Sequence, residues 1–423
     1  MLASSLQNPV SHGRVRALFF TSLGHFINDG TVAFVPLIAD LFAAQRHVTA
    51  TELTVMFVVF SASSSILSAY VGRLADKTGK PGPLIGLGLV LLSFGLIGFQ
   101  VSLLQTNSLI LLVLLIGSGF LVGFGSAFYH PLGATVLQSA FEEKSRGEML
   151  GLNGAGGSIG RALYPSLFFF VALLLTNNGS IGFFAAVGLI ASASVWLGLR
   201  QNLKPALEQN RDSTANASSA RDATTRGILM LTLIAFIRSF ATQGILSWIP
   251  IYISTQKGVG LTSTLGLDLT IMYITAIIGQ PFFGSLVDRF DKRLVLAVSS
   301  VGSAFSIVAY LFTSGVVEIA ALSLFGFFTF TAFPLLLSLS SDYVPKRSAS
   351  LGNALVWGLG TGGGGVIGPL VTGVIIFNSY SNLSLAFEIM ALATLLSAFA
   401  TGLIPKAGGG NRSVPAEFSA GNL

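Results

Sequence analysis

The sequence predicts an all-α membrane protein, twelve transmembrane helices in two pseudo-symmetric six-helix bundles, and three observations carry that prediction. The first is composition: 52% of the residues are hydrophobic, 9% are charged, and mean hydropathy is +0.77. A soluble domain carries about 25% charged residues, so an ordinary globular enzyme is excluded. The second is that the apolar residues come in runs of about 20, enough for a helix to cross a hydrocarbon core ~30 Å thick. The third is a repeat. The loop GRLADKTGK, Gly72 to Lys80, returns as GSLVDRFDKR, Gly284 to Arg293, at an offset of 212 in a chain of 423 residues. Self-similarity at half length marks a duplicated architecture.

Taken in order, the predicted spans cover residues 17–43, 52–75, 83–102, 107–139, 148–175, 180–200, 227–253, 265–288, 293–313, 316–342, 349–377 and 383–404. The first run has no small-residue cleavage site and is long enough to span, so it reads as a retained helix. Residues 201–226, rich in Ser, Ala, Asn and Thr, form a flexible polar linker between an N-terminal bundle (1–200) and a C-terminal bundle (227–404). The segment 405–423 reads as a disordered tail.

Lysine and arginine placement sets the orientation. One side of the membrane receives nineteen basic residues, among them Arg73, Lys77, Lys80, Arg200, Arg289, Lys292 and Arg293; the other receives Arg46 and Lys257. Both termini and the linker are therefore expected in the cytoplasm, in a multi-pass protein of the cell (inner) membrane. The +6 charge then serves topology and anionic lipid headgroups, and no nucleic-acid partner is implied. There is no cysteine, which excludes disulfides, thiolate metal sites and cysteine nucleophiles. No metal cluster, catalytic dyad, cofactor motif or ATP-binding motif is recognisable, so neither a cofactor nor an enzymatic activity is expected. Gly362 to Gly365 lacks the lysine and strand of a phosphate loop and reads as close helix packing.

The halves also echo each other inside the spans. GFGSAFYHP, ending at Pro131, matches GFFTFTAFP, ending at Pro334, at an offset of 203. GRALYP in span five has its counterpart in the glycine-rich stretch ending at Pro369. Six helices, a linker and six similar helices describe a transporter whose bundles rock about a midplane site.

This architecture, with GRLADKTGK between spans two and three, resembles the major facilitator superfamily over essentially the whole chain. GHFINDG in span one, the HP pair closing span four and GRALYP in span five are similar to the fosmidomycin-resistance-type efflux branch. The resemblance implies a monomer that carries a small molecule by alternating access, and gating by the two loop motifs. It departs at one point: Gly119 stands where drug/proton antiporters of the superfamily carry a buried arginine in span four.

The gating candidates are Gly72, Arg73, Asp76 and Lys77 in the first loop and Gly284, Asp288 and Arg289 in the second. A carboxylate there can stabilise a helix N-terminus, and the basic residues can bridge to the other bundle. Proton-coupling candidates are His25, Asp29 and His130. His25, Asn28 and Asp29 lie at i, i+3 and i+4 on one helical face, and polar groups at membrane depth face a cavity or a partner. Pro131 should kink its helix and free a carbonyl about four residues earlier, which His130 either bonds or passes by to line the cavity. The matching position in the second half is Phe333, so the first half alone has this histidine.

Arg161 and Arg238 are basic residues inside spans and need a carboxylate, water or an anionic ligand. Either they bind an anionic cargo, or Arg161 pairs with Asp29. Asn28, Gln243, Trp248, Tyr273 and Gln280 complete the substrate-binding candidates, with interface anchoring as the alternative for the aromatics. The leading functional reading is proton-driven efflux of a small anionic drug or antibiotic. Proton-coupled uptake of a sugar, organic acid or other metabolite is the alternative, and a non-transporting membrane sensor is the third.

Overall fold

Among the described residues of the computed structural model, ten helical stretches are long and apolar enough to cross a membrane, and two local breaks account for the difference from the predicted twelve. The structure describes residues 9–200, 221–287, 289–343, 354–377 and 379–405. The first bundle consists of α1 (Pro9–Arg46), α2 (Ala50–Thr78), α3 (Pro81–Leu103), α4 (Ser108–Ser126), α5 (Tyr129–Ala140) and α6 (Glu143–Leu199). The second consists of α7 (Arg221–Leu246), α8 (Ile249–Thr255), α9 (Ser263–Val287), α10 (Lys292–Phe312), α11 (Gly315–Thr329), α12 (Ala332–Tyr343), a π-helical stretch (Ala354–Gly362), α13 (Gly363–Ile376) and α14 (Leu383–Ala400).

The first break lies in α6, whose 57 residues are interrupted at Thr176 by non-helical dihedrals. A straight helix of that length would reach ~86 Å, nearly three hydrocarbon thicknesses, so the element supplies spans five and six. The second break divides span ten into α11 and α12, each too short to cross alone. The α4–α5 break divides span four in the same way, and the two breaks fall 203 residues apart, the offset of the sequence repeat. Proline explains their position. Pro131 cannot donate to the carbonyl four residues back, and that carbonyl, Ala127 O, instead accepts the Ser68 hydroxyl of α2 at 3.4 Å.

Caps fix the other ends. Thr49 and Glu52 form a reciprocal capping box that starts α2, and Gly79, at φ 63°, ends it in the left-handed conformation. Pro81 then opens α3. Asn107 caps α4 and Asp291 caps α10. Helix α7 begins at Arg221, inside the stretch expected to be linker; residues 201–220, Asp288 and the tail beyond 405 lie outside the described residues. The expected close packing at Gly362 to Gly365 is present. A Cβ on Gly364 would stand 2.8 Å from Phe240 N, and one on Gly362 would stand 3.1 Å from Ser65 Cβ of the first bundle.

The bundles meet toward the end that carries Arg46 and Lys257, called the far end below. There Ser254 donates to Asp40, Tyr380 donates to the Val48 carbonyl, and the Phe57 and Trp248 rings pack edge to face. Nearer the middle, Thr270 lies 2.7 Å from Ser166 Oγ and donates to the Ala162 carbonyl. One apolar cluster runs through both bundles at this end, from Phe34 and Phe42 to Tyr252 and Phe387. Toward the opposite, basic end a second cluster draws only on the second bundle, from Ile228 and Leu231 to Leu339 and Tyr343. Among the described residues, the bundles are therefore sealed together at the far end and share no apolar cluster at the basic end, which is parted there.

Candidate functional site

Two helices meet along faces that recur every three or four residues to build the site. Along α1 the steps are Ser22, His25 and Asp29; along α6 they are Asn153, Gly157 and Arg161. Such spacing stacks side chains on one face of each helix. Asn153 contacts Ser22 and His25, Gly157 lies against His25 and Asp29, and Arg161 reaches Asp29. The close crossing depends on α6 lacking side chains here: a Cβ on Gly157 would stand 2.9 Å from Asp29 Oδ2, and one on Gly160 would strike the Phe26 backbone. The proline break then turns α5 so that Tyr129 and His130 face the same point.

Asp29 is the hub. Its side chain is 4% exposed, and Arg161 Nη1 donates to Oδ2 at 2.6 Å. Asn28 Nδ2 donates to Oδ1 at 2.9 Å, and His130 Nε2 lies 3.5 Å from the same oxygen. His25 Nε2 is 3.3 Å from Oδ2. His130 keeps a 60% exposed side chain although its neighbour Tyr129 is buried, so it lines the opening between the bundles. Arg161 extends to the seam, where its guanidinium lies 5.4 Å from the centre of the Phe330 ring of the second bundle. It also donates to Ser158 at 2.9 Å, and its Nε has no partner.

The hydrogen bonds of His25 decide what it can do. Nδ1 lies 2.9 Å from the Asn153 carbonyl, an obligate acceptor, so Nδ1 carries a hydrogen. In a neutral ring Nε2 would then turn a lone pair toward Asp29 Oδ2. That contact is favourable only when a proton lies on Nε2 or on the carboxyl. A hydrogen on either group would satisfy this contact, and the exposed His130 ring stands on the other oxygen of the same carboxylate. His25, Asp29 and His130 also have ligand atoms within 4.8 Å of one another, a spacing a metal ion could use. The Arg161 guanidinium on Oδ2 already supplies a fixed cation, and electrostatics disfavour a second.

Five of the residues singled out in the sequence, His25, Asn28, Asp29, His130 and Arg161, come together. In this conformation Arg161 pairs with Asp29, and His130 turns to Asp29 instead of the carbonyl freed by Pro131. Several substrate-binding candidates are buried in this conformation. Asn28 is fully buried beneath Asp29. Arg238 is 2% exposed and donates to Ser300 Oγ and the Phe328 carbonyl inside the second bundle. Trp248 is buried in the seam against Phe57, its indole N–H directed at the Pro369 carbonyl at 3.4 Å. Tyr273 is 4% exposed and packs on Phe330, whereas Gln243 is exposed and Gln280 half-buried.

The loop candidates Arg73, Asp76, Lys77 and Arg289 are exposed near the basic end, and a Cβ on Gly72 or Gly284 would meet nothing within 4 Å. Sequence reasoning missed Tyr129, Asn153, Gly157 and Ser158. The four-residue recurrence of small and polar residues before Arg161 was the available signal.

The Major Facilitator Superfamily profile matches residues 18–355 and 262–419. The chain is 24% identical over 361 residues to the uncharacterized MFS-type transporter YfnC of Bacillus subtilis strain 168, covering 84% of this chain and 86% of that one. It is 24% identical to the probable sulfoacetate transporter SauU of Cupriavidus necator, covering 81% and 82%. Among solved structures it resembles a bacterial homolog of the human lysosomal transporter Spinster, with a TM-score of 0.69 at 14% identity over 94% of this chain and 97% of that one. With its repeated bundles, its loop motif and a profile match over nearly its whole length, this chain belongs to the Major Facilitator Superfamily.

Proposed function

We propose that this chain is a proton-coupled secondary transporter of a small organic anion, and that proton and anion travel together. The observation that carries this reading is the Arg161–Asp29 pair at 2.6 Å beside the opening between the bundles. While Asp29 is ionised it neutralises Arg161, and an incoming anion would have to displace it. Once Asp29 takes a proton from His25 or His130, the guanidinium is left charged beside the opening, and a cargo carboxylate, sulfonate or phosphonate can replace the lost partner. Proton and anion therefore favour each other's binding, a reciprocal coupling of the kind typically worth ~1–3 kcal/mol. The basic end faces the cytoplasm by its charge, so the parted conformation is inward-facing. The protein works as a monomer in the inner membrane, both termini cytoplasmic, with the loop residues Gly72 to Lys77 and Gly284 to Arg289 latching the basic end in the opposite state.

Efflux in exchange for protons, the function implied by the fosmidomycin-resistance resemblance, requires a proton to weaken cargo binding. A cationic cargo satisfies that requirement at this site, and an anion does not. Gly119, in the place of the antiporter arginine, lies where α2 and α4 cross closely: its Cβ would stand 3.2 Å from Met56 O.

The test is flux in proteoliposomes loaded with a pH-sensitive dye and offered short carboxylates, sulfonates and phosphonates. Cotransport acidifies the lumen as the anion enters, and Asp29→Asn abolishes that acidification while the protein stays monodisperse. An anion that enters while the lumen turns alkaline would overturn cotransport.

A further inference from the structure

The proton site around Asp29 leaves a second buried carboxylate of α1 unused. Asp40 lies three turns further along the helix and is 1% exposed. It faces the seam that closes the far end, where the Ser254 hydroxyl at the end of α8 donates to Oδ1 at 2.8 Å. The same hydroxyl lies 3.1 Å from the Ile251 carbonyl. Asp40 Oδ2 is buried with no partner.

The charged and titratable groups near the far end are engaged elsewhere. Arg46 of α1 donates to the Gln105 carbonyl. Lys257, beyond α8, binds the Tyr310 and Thr313 carbonyls and pairs with Glu318 of α11 at 3.2 Å. Glu52 of α2 accepts from Thr49, and the Tyr380 hydroxyl donates to Val48 O. Among the described residues, no lysine, arginine or histidine lies within ion-pair distance of Asp40.

Proton counting at Ser254 then distinguishes the two forms of the carboxyl. If Asp40 is ionised, one hydroxyl hydrogen faces two acceptors, Asp40 Oδ1 and the Ile251 carbonyl, and one contact is left without a hydrogen. If Asp40 carries its proton on Oδ1, that O–H donates to Ser254 Oγ and the Ser254 hydroxyl donates to Ile251, so both short contacts are satisfied. The neutral form also avoids a buried, uncompensated charge.

We infer that Asp40 is a second proton-binding site, set in the seam between the bundles at the far end, and that this seam closes over its protonated carboxyl. When the far end parts, water reaches the carboxyl and the proton leaves to the far-side solution. When the far end closes, the carboxylate takes a proton from that solution. Far-side acidity therefore favours the state parted at the basic end, and does so without Asp29.

The chain contains no cysteine, so a spin-label pair at Leu104→Cys and Ser381→Cys, exposed on the two sides of the far end, reports the seam directly in the full-length protein in nanodiscs. With no cargo present, the ratio of parted to closed seam is expected to rise about tenfold per pH unit above the titration of one carboxyl. Asp40→Asn holds the seam closed across pH 5–9. Asp29→Asn leaves the pH response intact, whatever the cargo-flux assay shows. Ser254→Ala removes the acceptor of the carboxyl proton and lowers the closed fraction at acid pH. A seam distance that ignores pH overturns the inference, as does a response that survives Asp40→Asn or is lost only in Asp29→Asn.

Discussion

Gly157→Ala places one methyl group at the centre of the coupling site and removes no titratable atom. Its Cβ would stand 2.9 Å from Asp29 Oδ2 and closer still to the His25 imidazole. Ordinary contact is ~3.5 Å and the nearest His25 atoms would stand at 2.4 Å, so α1 or the two side chains must yield by about 1 Å. The His25–Asp29 contact, already 3.3 Å, then lengthens beyond hydrogen-bond range. A charge-assisted hydrogen bond is worth ~1.5–3 kcal/mol, and 1.4 kcal/mol is a factor of ten. Proton-coupled flux should therefore fall about 10- to 100-fold, with pH dependence flattened. Gly154→Ala is the control, since its Cβ would meet nothing within 4 Å on the preceding turn of the same helix. Flux and acidification in proteoliposomes are the readout, with thermal stability measured in parallel. If Gly157→Ala and Gly154→Ala transport alike, with the same pH profile, the shared-proton argument fails.

Arg161→Lys keeps the charge but cannot hold Asp29 and Ser158 together, so binding of an anionic cargo should weaken about tenfold while a neutral analogue is little affected; equal losses would remove the anion argument. Gly72→Ala meets open space in this conformation and should leave thermal stability unchanged while slowing turnover, because the basic end must close over it in the opposite state; unaltered turnover would deny the loop a gating role. Asp291→Ala removes the cap of α10 and should cost about 1 kcal/mol at pH 7 in a denaturation assay. The side-chain hydrogen bond from Arg293 holds the Asp291 carboxyl down to about 2. Because this lies below the unfolded value of about 4, its contribution is full above pH 4 and is lost as pH falls toward 2, so the wild-type advantage should vanish only in strong acid.

What the sequence determined follows from the bilayer as a solvent. A hydrocarbon core requires every backbone group to be paired within a helix, so long apolar runs can be only spans, and lysine and arginine can collect only in loops. The kink expected at Pro131 is present, because a proline cannot donate to the carbonyl behind it, and a second break follows at the repeat offset of 203. Asp29, His25, His130 and Arg161 were legible for the same reason: an ionisable group in a membrane helix is too costly to keep without a use.

Tertiary structure decided which of these groups meet. Arg161 and Arg238 look alike in sequence, yet one pairs with a carboxylate beside the opening and the other is buried against a serine hydroxyl and a backbone carbonyl. Trp248 and Tyr273 read as contacts for a solute and are buried in this conformation, since which face of a helix meets lipid, seam or cavity depends on its neighbours' rotation. Asp40 stood near a span end with nothing to mark it. Only the approach of α8 from the other bundle, more than 200 residues away in the chain, makes it a buried carboxyl.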